Sequence, residues 1–169
     1  MRYQQLGNTG LVVSELGFGG IPILRLESSA AERIVSHAFE KGITFYDTAN
    51  AYRDSEEKMG RAFAGMRNKV VLATKTMRRD GPGALEQLEL SLKRLQTDYI
   101  DLFQLHQVAQ ENVWQTITAP GGALEVLQKA KEAGKIRFLG VTSHSRPMAI
   151  KLIQTGLFST VQFPFNFIE

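Results

Sequence analysis

The sequence predicts an α/β fold built from about six parallel βα units, short of a closed eight-unit barrel. Short apolar runs alternate along the chain with longer amphipathic segments, and this order is typical of parallel βαβ topology. The spacing is roughly 30 residues per unit. A closed barrel takes about 250 residues, whereas this chain has 169. We therefore expect a fragment, a truncated gene product or a chain that completes its fold by self-association.

The elements follow in order from local signals. Segment 6–13 contains Asn8 and Gly10, which tolerate the backbone of tight turns, and it predicts a short hairpin ahead of the main fold. The predicted strands are 15–19, 44–47, 69–75, 99–106, Ile136–Thr142 and 160–163. The predicted helices are 30–41, 56–64, 83–95, 122–133 and 146–155. We expect these elements to form a single domain over residues 1–169 that is truncated at its carboxyl end, since nothing in the sequence follows the aromatic segment 162–169 to cover it.

Cap residues mark several helix boundaries. Residues 28–29 are serines and predict a side-chain cap at the start of the first helix. Asp80 and Pro82 predict the start of the third helix, since proline suits an early helical position. Three helical patterns are followed directly by glycine, which favours a left-handed end. These glycines are Gly42, Gly134 and Gly156.

Composition narrows the classes of function. The chain is 43% hydrophobic and 22% charged, as ordinary globular domains are. Its 20 basic and 17 acidic residues are mixed along the chain, so the net charge of +3 gives little support for a nucleic-acid partner. No stretch approaches the roughly 18 apolar residues of a membrane span. We therefore expect a cytoplasmic protein with no membrane partner.

Metal and thiol chemistry have little support. Cysteine is absent, which excludes disulfides, thiolate nucleophiles and Cys-ligated metals within these residues. The three histidines, His37, His106 and His144, lie far apart without ligand-like spacing. We expect no metal site.

Polar side chains stand where three predicted strands end. Asp47, Lys75 and His106 each close an apolar run, and Tyr52 follows Asp47 across a short polar loop. Because the carboxyl ends of parallel strands meet at one edge of the sheet, we expect these side chains to share one pocket.

These residue types suit protonation of a carbonyl oxygen. A tyrosine pKa of about 10 is high for an acid near neutrality, so a catalytic Tyr52 needs a positive charge beside it. Lys75 could supply that charge, and Asp47 could hold the ammonium in place. His106 could donate a hydrogen bond to a substrate oxygen. Each residue alone also has a purely structural interpretation. Lys75 and Asp47 could form an ion pair, His106 could be a buried histidine with its hydrogen bonds satisfied, and Tyr52 could be an aromatic residue at the rim.

Other motifs are absent. The run from Gly17 to Gly20 resembles a dinucleotide fingerprint, but Pro22 takes the third glycine position and no helix begins there. Neither a Walker loop nor a G-x-S-x-G elbow is present. Arg78 and Arg79 follow the third strand, where surface charges are the commoner case, so we do not assign them to the site.

Residues 42–52, which read GITFYDTANAY, resemble the signature of the aldo-keto reductases. Lys75 and His106 follow in that family's order. Residues 134–144, which read GKIRFLGVTSH, are similar to the family segment that holds the nicotinamide carboxamide. The resemblance extends over nearly the whole chain.

The resemblance implies a (β/α)8 TIM barrel capped by an amino-terminal β-hairpin, incomplete here because about six of eight strands are present. It also implies an oxidoreductase that reduces small-molecule aldehydes or ketones with NADPH. Tyr52 would be the general acid, Lys75 and Asp47 would tune it, and His106 would orient the carbonyl.

The resemblance further implies a set of cofactor-binding residues. Ser143 and Gln162 would bind the carboxamide, together with His144, which stands where the common pattern has asparagine. That variant and the run 162–166 resemble a bacterial or archaeal branch whose members can carry an iron–sulfur tail. In the family, the last two barrel strands hold the adenosine half of the cofactor. By this resemblance, those two strands would lie beyond Glu169. A noncatalytic nicotinamide-binding or interaction module, or an inactive fragment of a longer reductase, therefore remains an alternative.

Overall fold

The computed structural model describes residues 1–166. At the amino end, β1 (Tyr3–Gln5) pairs antiparallel with β2 (Val12–Ser14), which confirms the predicted hairpin. The predicted segment 6–13 covers the turn, residues 6–11, and the start of β2, whereas β1 lies before it. Glu15 also belongs to this hairpin, since its backbone N–H donates to the carbonyl of Arg2 at 3.0 Å.

Six parallel strands form the main sheet, and each pairs with its neighbours in chain order, as the predicted βα topology requires. They are β3 (Phe18–Gly19), β4 (Phe45–Asp47), β5 (Val71–Thr76), β6 (Ile100–Leu105), β7 (Ile136–Thr142) and β8 (Thr160–Gln162). Six helices connect or cover them: α1 (Ser28–Glu40), α2 (Ser55–Ala62), α3 (Gly81–Leu95), α4 (Glu111–Thr118), α5 (Ala123–Glu132) and α6 (Arg146–Gln154). The sheet curls as an incomplete (β/α)8 barrel, which confirms the predicted fold class.

Burial explains why the sequences of the central strands are mostly apolar. All six residues of β6 are buried, since helices cover one face and neighbouring strands curl over the other. Asp101 is the charged exception, with 1% exposure. Its carboxylate accepts from Arg67 at 2.7 Å and from Arg137 at 2.8 Å. It also accepts from the N–H of Leu72 in β5 at 3.0 Å and so joins strands β5 to β7 at the end opposite their carboxyl termini.

The helix ends agree with most of the predicted caps. Asp80 accepts from the backbone N–H of Gly83 at 2.7 Å, which confirms the predicted start of α3. All three marked glycines have positive φ: Gly42 91°, Gly134 79° and Gly156 66°. The predicted serine cap of α1 is wrong, because Ser28 is already helical and Glu27 precedes it without a side-chain hydrogen bond.

Helix α4 was not predicted, and β3 is shorter than the predicted strand 15–19. Helix α4 contains β-branched residues of modest helix propensity, yet it forms because it buries Trp114 and Ile117. Two short 3-10 helices, Pro22–Arg25 and Arg67–Lys69, were also missed. None of the helices within residues 1–166 combines the length and the apolar character needed to cross a bilayer.

Candidate active site

One cavity of about 440 Å³ opens at the carboxyl ends of the strands. All seven residues predicted from the sequence line it: Asp47, Tyr52, Lys75, His106, Ser143, His144 and Gln162. A larger open groove of about 880 Å³ lies along α1 and α2 but contains none of them. The cavity is therefore the candidate active site.

Lys75 and Asp47 form a buried pair at the floor of the cavity. In the sheet register Asp47 lies beside Ala73, so Lys75 stands two positions further along β5 and faces the same side. The Lys75 ammonium donates to Asp47 Oδ2 at 2.5 Å and to the carbonyl of Thr48 at 2.6 Å. The side chain of Lys75 is only 3% exposed.

Burial dominates the protonation of this pair. It raises the pKa of Asp47, although the Lys75 ammonium and hydrogen bonds from Gln104 and Gln162 pull that pKa down. Burial likewise lowers the pKa of Lys75, against the opposing charges of Asp47 and Glu56. Each partner therefore depends on the other for its charge.

Tyr52 lies over this pair in the loop between β4 and α2. That loop is closed by a hydrogen bond from the Tyr52 N–H to the carbonyl of Ala49 at 2.9 Å. The Lys75 nitrogen lies 5.3 Å from the centroid of the Tyr52 ring. The His106 ring meets the same ring edge-on, with centroids 5.8 Å apart.

Burial is the larger cause that raises the pKa of Tyr52, and the negative charge of Asp47 adds to it. The Lys75 nitrogen lies near the ring as the sequence suggested, but it is bonded to Asp47, whose negative charge offsets its own at the phenol. Tyr52 therefore holds its proton at neutral pH.

His106 follows β6 and is 6% exposed. Its backbone N–H donates to the carbonyl of Thr76 at 2.9 Å, which fixes it beside the end of β5. Burial, with the positive charges of Lys75 and Arg79, lowers the pKa of His106 to about 4. The imidazole is therefore neutral near pH 7 and can donate one N–H into the cavity.

Ser143, His144 and Gln162 form the polar rim at β7 and β8. Register places Gln162 beside Thr142, and the Ser143 N–H donates to the carbonyl of Gln162 at 3.0 Å. The Ser143 hydroxyl donates to the carbonyl of Ser145 at 3.2 Å. The imidazole of His144 and the amide of Gln162 line the same cavity, and each can both donate and accept hydrogen bonds.

Two residues of the site were missed by the sequence analysis. Gln104 donates to Asp47 at 3.2 Å and to Gln162 at 3.4 Å, linking the floor of the cavity to its rim. Its position two residues before His106 on a strand was the available signal, since such residues share a face. Arg79, which the sequence did not assign to the site, donates to the carbonyl of His106 at 2.5 Å. No sequence pattern indicated that contact.

The comparisons with known proteins agree with this geometry. The Aldo/keto reductase family model matches residues 15–168. The chain is 33% identical to aldo-keto reductase YhdN of Bacillus subtilis, over 100% of this chain and 55% of that protein. It is 34% identical to L-galactose dehydrogenase of Arabidopsis thaliana, over 81% of this chain and 47% of that protein. Aldo-keto reductase AKR11C1 of Bacillus halodurans, in its holo form, superposes with a TM-score of 0.85 and 32% identity, over 98% of this chain and 58% of that chain.

The chain spans about half the length of the curated relatives it matches. The region matched by the family model includes every predicted residue that lines the cavity. The chain belongs to the aldo/keto reductase family.

Proposed function

We propose that residues 1–169 form an NADPH-dependent oxidoreductase domain that reduces small-molecule aldehydes or ketones, with Tyr52 as the general acid. The observation that supports this most is the convergence of a tyrosine, a buried lysine–aspartate pair and a neutral histidine on one cavity. An ion pair with a purely structural role would need neither the phenol above it nor the imidazole beside it.

The rim of the cavity fits a nicotinamide carboxamide. A carboxamide offers one acceptor and two donors, and the hydroxyl, imidazole and amide of Ser143, His144 and Gln162 can meet both needs. When bound there, a reduced nicotinamide would supply hydride to the carbonyl carbon. In this proposal the preference for NADPH comes from the family resemblance.

The four proposed catalytic residues account for the proton that carbonyl reduction requires. Tyr52 keeps its proton until negative charge develops on the carbonyl oxygen, because burial and Asp47 disfavour phenolate. His106 donates its N–H to the same oxygen and stabilises that charge. Tyr52 then protonates the oxygen, which yields the alcohol, and the phenolate lies near the Lys75 ammonium until solvent returns a proton.

Self-association belongs to the same proposal. Strands β3 and β8 are the edges of the six-stranded sheet. An apolar cavity of about 350 Å³ opens beside β8 and includes Phe45, Leu102 and Val161. Phe165 at its margin is 91% exposed. A second copy of the chain would cover these edges and this surface.

The variant Tyr52→Phe tests the assigned acid. It removes only the hydroxyl, so the ring contacts with Lys75 and His106 remain. We expect the rate of aldehyde reduction to fall by about 100-fold or more, the usual contribution of a general acid. The affinity for NADPH, followed by cofactor fluorescence, should be nearly unchanged.

Tyr99→Phe is the matched control. Tyr99 lies at the opposite end of β6, with its ring 4.2 Å from the Arg67 guanidinium, a contact that phenylalanine keeps. It should reduce the aldehyde at the unmodified rate. Normal turnover by Tyr52→Phe would show that the acid is wrongly assigned.

A further inference from the structure

Arg79 lies outside the residues proposed for the reaction, yet it is bonded to one of them. Its Nη2 donates to the carbonyl of His106 at 2.5 Å and lies 3.4 Å from the carbonyl oxygen of Gln107. Gln107 has a φ of 56°, a left-handed backbone that is uncommon outside glycine. The guanidinium therefore holds the chain where it turns out of β6.

The backbone of Arg79 is itself anchored away from the cavity. Its carbonyl accepts from the N–H of Ala123, the first residue of α5, at 2.9 Å. Two residues later, the N–H of Gly81 donates to the carbonyl of Gly121 at 2.9 Å. The start of α5 thus fixes the point from which the guanidinium reaches His106.

The charge of Arg79 is poorly compensated. Within residues 1–166 its guanidinium bonds to backbone carbonyls and to no carboxylate. Burial lowers the pKa of Arg79, but a guanidinium stays charged in proteins. A partly buried charge without a paired carboxylate is unfavourable for stability, so its position beside His106 points to an effect on that residue.

Two buried atoms of this residue pair have complementary needs. Arg79 Nη1 and His106 Nδ1 are both buried without a hydrogen-bond partner among the described residues. A guanidinium nitrogen can only donate. Nδ1 of a neutral imidazole accepts only when the ring proton is on Nε2.

We propose that Arg79 is a positioning residue for His106. The Nη1 of Arg79 donates to the Nδ1 of His106 through one bridging water and so keeps the ring proton on Nε2. The inference rests on the proposed function, in which His106 donates an N–H to the substrate oxygen. Arg79 would act through His106 without touching the substrate.

The surroundings of His106 agree with a neutral ring. It faces Lys75 from β5, Arg79 from the loop after β5, His144 from the loop after β7 and the Tyr52 ring from the loop after β4. The positive charges among these groups disfavour imidazolium, which is consistent with its pKa of about 4. A neutral imidazole carries its proton on either Nδ1 or Nε2, so a donor beside Nδ1 can favour the Nε2 form.

The test is ¹⁵N NMR of the histidine side chains in the 169-residue chain, without cofactor. His37→Gln and His144→Gln assign the His106 signals by elimination. In the unmodified chain we expect a neutral ring with its proton on Nε2 from about pH 5 upward. In Arg79→Met we expect the pKa of His106 to rise by about one unit and the form protonated on Nδ1 to appear.

Arg78→Met is the control, since Arg78 is the exposed neighbour and its loss should change neither quantity. If Arg79→Met fails to fold, Arg79→Lys replaces it. That variant keeps the charge but lacks a second nitrogen, so a low pKa with mixed tautomers is expected.

Three results would overturn the proposal. They are a His106 ring proton on Nδ1 in the unmodified chain, an unchanged pKa and tautomer of His106 in Arg79→Met, and an unchanged His106 tautomer in Arg79→Lys. The measurement needs no cofactor and no turnover. Failure of carbonyl reduction would therefore refute the proposed function without affecting the NMR result. An unexpected NMR result would refute the role of Arg79 without affecting the activity assay.

Discussion

The Lys75 ammonium is almost fully enclosed, and its charge is balanced by one carboxylate and one backbone carbonyl. A charge removed from water in this way is tolerated only while its partners remain in place. The buried carboxylate of Glu56 lies behind β5, where it accepts from Thr74 at 2.6 Å and also favours the charged form of Lys75. The pair is therefore a point where stability and the proposed chemistry depend on the same atoms.

Lys75→Met should lower the free energy of unfolding by about 3–5 kcal/mol, the usual cost of leaving a buried partner charge unpaired. Urea unfolding at neutral pH measures it. Adding Asp47→Asn should recover part of the loss, because the unpaired carboxylate is then gone.

Lys135→Met is the surface control for that experiment. Lys135 pairs with Glu89, and both side chains are more than 40% exposed. Its loss should cost about 0–1 kcal/mol. Equal costs for the two lysine variants would contradict the assignment of Lys75 and Asp47 as a buried, mutually dependent pair.

The positions of the site residues could be predicted from the sequence, but their electrostatics could not. Asp47, Lys75 and His106 end apolar runs, and strand topology alone brings such positions together. The direction of the Tyr52 pKa depends on the burial of the phenol and on its distance from Asp47, and neither can be read from the sequence. The contact between Arg79 and His106 arises from two loops whose backbone directions leave no sequence pattern.

At the scale of elements, the close approach of α2 to α3 supports the site from outside. A Cβ atom at Gly60 in α2 would overlap the backbone of Arg94 and Leu95 at the end of α3. This approach lets Glu56, on the same helix, reach Thr74 of β5. The helix that begins just after the Tyr52 loop is thus seated directly on the strand that carries Lys75.

Gly60→Ala should therefore destabilise the chain by about 1–3 kcal/mol, as overpacking does. The opposite sign, a gain of about 1 kcal/mol, is expected for the same change in an exposed helix. Urea unfolding of Gly60→Ala and Gly134→Ala separates packing from backbone strain. Gly134 has open space around it but a φ of 79°, so its variant carries strain alone. A neutral or stabilising Gly60→Ala would disprove the close helix contact.

The regular elements were predictable because their periodicity and their glycine ends are local. Helix α4 was not, because its eight residues include four that are β-branched and it forms through burial of Trp114 and Ile117. The spacing of those two residues, with Glu111 in the first turn, was the available signal. The short β3 reflects competition, since the hairpin takes the backbone of Glu15.

At the scale of the whole molecule, the described sheet has six strands and its two edges are short. The candidate active site lies within these strands, since its residues stand between β4 and β8. The chain spans about half the length of its curated relatives. The central question is therefore whether the cavity binds its cofactor in this chain.

Sedimentation velocity of the 169-residue chain with NADPH, followed at the absorbance of reduced nicotinamide, answers this most directly. It reads the amount of bound cofactor and the size of the species that carries it. Ser143→Ala tests the rim of the cavity, and Ser159→Ala, outside the cavity, is its control.

We expect NADPH to sediment with the protein, saturably, in a species of two or more chains. Its affinity should fall about fivefold in Ser143→Ala, which corresponds to the loss of one hydrogen bond, and should not change in Ser159→Ala. Cofactor that stays unsedimented at all protein concentrations, or an affinity that does not change in Ser143→Ala, would contradict the proposed cofactor site.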